Sequence, residues 1–135
     1  MKYPGRMMAC CCGILVAALT VYIIYAADTG TLPPFIIRLY RFPGGDKVGH
    51  VLVFGLLALG VTALLYPRRI RLFRAMLPAG AVLVALLVTL EEASQWFIAS
   101  RSFDLVDLAC SYLGIFLGTA VGHMAFMLNR NRSTR

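Results

Sequence analysis

The stretch MLPAGAVLVALLVTLEEASQWFI, residues 76–98, carries no ionisable side chain over its first fifteen positions and then places Glu91, Glu92 and Gln95 within five. A helix needs about 17 to 25 residues to cross the hydrocarbon of a bilayer, so this segment is long enough to span one. Its acids fall near the C-terminal end, where the helix dipole is negative and carboxylates are disfavoured. With a helix ending near Ile98, Glu92 lies about 9 Å inside it at 1.5 Å per residue. A buried carboxylate there needs a cation, a hydrogen-bond donor or a proton, because a charge at a helix centre costs roughly 2.5 to 3.5 kcal/mol on insertion scales.

Working outward, three more apolar segments appear: 7–27, 48–66 and 105–128. The chain has 135 residues, 60% of them hydrophobic, and a mean hydropathy of +0.80. That composition is too apolar for a soluble domain with a polar surface, and the length suits one compact unit, 1–135. The net charge of +7 brings nucleic acid to mind. The basic residues, however, fall in short clusters between apolar runs, with no basic stripe interleaved with stacking aromatics, so no nucleic-acid partner is expected.

In a four-crossing layout, Lys2, Arg6, Arg68, Arg69, Arg71, Arg74, Arg130, Arg132 and Arg135 share one side. Arg38, Arg41, Lys47 and Arg101 share the other. The excess marks the cytoplasmic side and places both termini there. The expected fold is therefore all-α: a polytopic, four-transmembrane-helix bundle in the cell membrane. Tyr25 before Ala27 and Ile24 before Ala26 lack the small-residue pair of a signal-peptide cleavage site, so the first segment reads as an uncleaved helix. Cys10, Cys11 and Cys12 lie at the opposite membrane face from Cys110, and no internal disulfide is expected.

The inner loop, 67–75, is short, basic and turn-like. The outer loop, 28–45, runs from Pro33 and Pro34 into Phe35, Ile36, Ile37 and Arg38, with Arg41 and Phe42 after them. That composition fits either the headgroup layer or an ordinary loop over the helix ends. Gly114, Gly118 and Gly122 recur every four residues in the last segment. Such a ridge lets another helix approach closely, either within the monomer, as a four-helix unit favours, or in a homo-oligomer.

The outer ends of the last three segments collect the polar residues. Asp46 and His50, four apart, share a helix face with Lys47 beside them, and Asp46 is suited to an N-cap after the Pro43-Gly44-Gly45 turn. Asp104 and Asp107 have the spacing of a capped helix start with an acid at its third position. Gln95 can share a face with either glutamate. For Glu92 the candidate cations are Arg101, His50 and Lys47; a bidentate pair with Arg101 would fix helix register, whereas a free Arg101 would bind phosphate or carboxylate.

Asp46-Lys47-x-x-His50, Glu92-x-x-Gln95, Arg101-x-x-Asp104-x-x-Asp107 and Gly114-x-x-x-Gly118, in that order, resemble the VanZ-like family of small bacterial membrane proteins. The resemblance implies a bacterial membrane, relevance to the cell envelope and the same polar cluster. The family's founding member is associated with low-level resistance to the glycopeptide teicoplanin. Where the family usually has Asn four residues after the second aspartate, this chain has Ser111. A hydroxyl still donates and accepts, but it lacks the amide's second group and its reach.

Three functions fit these residues. An outward-facing enzyme would use Glu92 and His50 as acid and base, Arg101 as anion clamp, and Asp46 and Asp107 to orient them or hold a metal. A binding protein would use the same cluster, with Lys47, Gln95, Asp104 and Ser111, for a membrane lipid headgroup or an envelope glycan or glycolipid. A structural protein would only tie helix ends together. Ser94, Ser100 and Ser102 lack a glycine elbow, and no two-histidine zinc spacing is present, so neither nucleophile nor metal centre is assigned and no cofactor is specified. His123, near the inner end, reads as structural.

Overall fold

The computed structural model describes residues 4–97 and 103–132. Helix α1 (Pro4–Asp28) leads into the short α2 (Pro34–Tyr40) and then α3 (Gly45–Leu65). Strands β1 (Arg69–Leu72) and β2 (Ala75–Pro78) precede α4 (Ala79–Ser94), a 3-10 turn over Gln95–Phe97, and α5 (Leu105–Arg132).

The protein is mostly helical, and three of the described helical stretches are long and apolar enough to cross a membrane: Gly45–Leu65, Ala79–Phe97 and Leu105–Ala125, with hydropathies of 2.3, 1.3 and 1.6. Only 22 to 28% of these stretches is buried inside the protein. Leu52, Leu56, Leu86, Leu90, Leu113 and Phe116 all face outward. A hydrophobic surface of that extent is what a bilayer, not water, covers.

Helix α3 is the hub, packed against α5, α1 and α4. Its neighbours each meet it through a glycine. A methyl group added to Gly118 would run into the carbonyl oxygen of Gly55, and one on Gly114 into that of Val51. One on Gly60 would lie 3.0 Å from Gly13 Cα of α1, and one on Gly80 of α4 would lie 2.6 Å from Thr62 Cα. Without side chains between them the backbones come into van der Waals contact, which drives helix association where the hydrophobic effect cannot. The ridge formed by Gly114 and Gly118 is thus occupied within the molecule, against α3. Phe54, Leu57, Ala58, Val84, Val88 and Ile115 form the buried core beside this seam.

Two connections differ from the sequence expectation. The connection over 67–75 is an antiparallel hairpin with Arg71 opposite Met76 and Leu72 opposite Ala75, so residues 76–78 belong to β2 and not to the following helix. The alternation Arg69-Ile70-Arg71-Leu72 carries the strand period of two, which a reading by hydropathy over a long window averages away. The connection over 28–45 contains α2, started by Pro34 in its first turn, where the missing N–H costs nothing.

Candidate functional site

Gly44, at φ 80°, turns the chain into α3. Asp46 was expected to cap this helix, but the cap position falls two residues earlier, on Gly44, and Asp46 stands in the first turn. An acid there is still favoured by the helix dipole. Its carboxylate turns sideways to Lys47, whose Nζ lies 2.8 Å from Asp46 Oδ2, 3.0 Å from Asp107 Oδ1 and 3.5 Å from Asp104 Oδ2. One ammonium thus serves three carboxylates from two helices.

One turn further along α3, His50 reaches α5. Its Nδ1 lies 3.0 Å from Ser111 Oγ and its Nε2 is 3.9 Å from Asp107 Oδ2. Ser111 Oγ donates to Asp107 O at 2.9 Å. With the only hydroxyl hydrogen used there, the contact to His50 requires the imidazole to donate from Nδ1. Phe54 lies against the ring, 5.7 Å between centroids.

Glu92 is fully buried. Its Oε1 accepts the backbone N–H of Asp104 at 2.9 Å, and its Oε2 accepts Gln95 Nε2 at 3.2 Å. Gln95 Nε2 also donates to Glu91 Oε1 at 2.9 Å. The tension with its own helix end is thereby offset: Glu92 belongs to the last turn of α4 but sits at the start of α5, whose dipole favours a negative charge. The shorter α4, ending at Ser94, places Glu92 nearer the helix end than a helix reaching Ile98 would.

Asp104 joins the two halves of the cluster. Its backbone N–H holds Glu92, its Oδ1 accepts the N–H of Val106 at 2.8 Å, and its Oδ2 faces Lys47. It is the N-cap the spacing predicts, with Asp107 in the first turn. The structure therefore brings Asp46, Lys47, His50, Asp104, Asp107 and Ser111 into one cluster and links Glu92 and Gln95 to it. Arg101 lies outside the described residues. Among the described residues no group of three or more His, Cys, Asp and Glu is arranged to hold a metal ion.

Comparison with protein-family models, with curated proteins and with solved structures finds no match.

Exposure is graded across the cluster. The side chains of Asp46 and Asp104 are 54% and 40% exposed, those of Asp107 and His50 are 17% and 16%, and Ser111 is fully buried. The outer carboxylates can accept hydrogen bonds from outside, while the inner groups are committed to one another. A serine with no exposed surface, donating to a carbonyl of its own helix, is not placed as a nucleophile.

Sequence reasoning missed two ties at this end. Thr89 Oγ1 and Tyr112 Oη are 2.7 Å apart, joining α4 to α5 one turn below Glu92. Trp96 and Phe103 stack across the connection between the same helices, 5.0 Å between centroids. The available signal was position: Thr89 is one turn before Glu92, Tyr112 is next to Ser111, and Trp96 follows Gln95.

Proposed function

We propose that this chain is a VanZ-like integral protein of a bacterial cell membrane. It crosses four times, with both termini in the cytoplasm, and its outer polar cluster binds an anionic cell-envelope lipid or glycan precursor without transforming it. The observation that carries this reading is the graded cluster around Lys47, open at Asp46 and Asp104 and closed at Ser111. Carboxylates with unused acceptor capacity suit the hydroxyl groups of a sugar or glycerol headgroup. Arg38 and Arg41 are exposed on and just after α2, which packs against α3, and they suit the phosphate or carboxylate of the same ligand. The ordered polar motifs support the family reading, and the excess of basic residues on one side supports the topology.

A second reading has its own observation: Lys47 and Glu92 each spend their bonds holding helix ends together. There the cluster is a non-catalytic latch. Mass spectrometry of small molecules retained by the purified protein, repeated on Asp46→Asn and Arg38→Gln, separates the two. Binding predicts a phosphate- or carboxylate-bearing envelope molecule lost from both variants at unchanged thermal stability. A protein that retains no such molecule, and whose Asp46→Asn variant melts earlier, is the latch.

A further inference from the structure

The opposite end of the bundle holds a cavity of about 50 Å3, lined among others by Thr62 and Tyr66 of the α3 end, Arg68 and Arg69 of the hairpin, Gly80 of α4 and His123 of α5. None of its described lining residues is acidic. Thr62 is 3% exposed, and its hydroxyl has no hydrogen-bond partner among the described residues. Buried hydroxyls are nearly always paired, so an orphan on a residue that lines a cavity marks a missing partner.

The cavity also lies at the start of α4. That helix is preceded by Pro78, has no side-chain cap and has no acid in its first turn. The Ala79 N–H is used by Arg68 O at 3.0 Å; the N–H groups behind it in the first turn have no intrahelical acceptor. A helix N-terminus, two arginines and a buried, unpartnered hydroxyl meet around a space whose described lining carries no negative charge. That is the composition of an anion site.

We propose that this cavity binds a phosphate group, with Thr62 Oγ1 donating at its floor, the first turn of α4 on one wall, and Arg68 and Arg69 at its mouth. The volume exceeds the roughly 30 Å3 share of one water and falls far below the roughly 300 to 1,000 Å3 of pockets that enclose whole ligands. It therefore takes one group of a larger molecule, or a free ion. The hairpin beside it puts Ile70, Leu72 and Leu77 on one face and Arg69 and Arg71 on the other, with Phe73 91% exposed at its tip. An apolar face and tip next to arginines match the boundary between acyl chains and headgroups, so a phospholipid phosphate reaches the site from the adjoining leaflet.

The test uses the whole protein in detergent micelles, with phosphorus NMR and calorimetry reading the binding of two probes: short-chain phosphatidylglycerol and inorganic phosphate. Saturable binding of the lipid alone assigns the group to a headgroup. Inorganic phosphate that binds and displaces the lipid assigns it to the free ion as well. Thr62→Val keeps the shape and removes the donor, and should weaken binding roughly tenfold or more. Arg69→Gln, an exposed change that leaves the bundle intact, should do the same if Thr62→Val proves poorly folded. Tyr22→Phe, an exposed change on α1 outside both sites, should leave binding of both probes unchanged. Binding of neither probe, or affinity that survives both substitutions, overturns the proposal.

Discussion

Glu92 shows how a residue placed against one helix can be placed for another. Among the described residues its two oxygens receive two donors, Asp104 N–H and Gln95 Nε2. Glu92→Gln keeps the shape but sets an amide NH2 against one of them. Leaving a buried donor unsatisfied costs about 1 to 3 kcal/mol, so the variant should melt earlier in detergent; an unchanged melting temperature would show that these bonds do not hold the helix end. Lys47 makes a different prediction. Lys47→Met leaves Asp46, Asp104 and Asp107 facing one another without their shared cation. The variant should be less stable than the native chain at neutral pH. The gap should narrow as pH falls toward the ordinary carboxylate range of about 4, where protonation removes the repulsion. A gap that is constant with pH would assign the loss to packing.

Much of this cluster was legible in the residues themselves. Four-residue spacing put Asp46 and His50 on one face, and the Asp104 to Asp107 spacing revealed a capped helix start. What spacing could not reveal was the pairing between helices. Lys47 was one of three candidate cations for Glu92, yet it lies among three aspartates, and Glu92 is held by a backbone N–H, a group every residue but proline carries.

At the scale of elements, the seam between α3 and α5 is made of backbone. Ala in place of Gly is usually favourable in a helix by up to about 1 kcal/mol. At Gly118 the sign should reverse, because the added methyl meets the Gly55 carbonyl. Overpacking of this kind costs about 1 to 3 kcal/mol, so Gly118→Ala should lower the melting temperature, and a rise would place the two helices further apart than described here. The long apolar stretches were readable because length and hydropathy identify them without any knowledge of neighbours. The hairpin and α2 were not, since each is only a few residues long and lies where hydropathy changes sign. Phe73 adds a particular obstacle: it occupies φ 53°, a left-handed conformation that bulky residues rarely adopt and that a turn reading assigns to Gly or Asn.

For the whole molecule, the excess of basic residues at one end predicts that the hairpin faces the cytoplasm and the acidic cluster faces out. In a cysteine-free background, Thr31→Cys should react with an impermeant thiol reagent in intact cells, and Phe73→Cys only after the membrane is opened. The reverse pattern would invert the topology and place the polar cluster inside.

The chain contains a single tryptophan, and it is Trp96, stacked on Phe103 beside the polar end. Excited to the red of tyrosine absorption, the protein therefore emits from one known place. Its wavelength and its quenching by brominated lipids report how deep the α4 to α5 connection sits. A molecule arriving at the neighbouring acids changes the same signal, so the native chain can be titrated optically without attaching a dye.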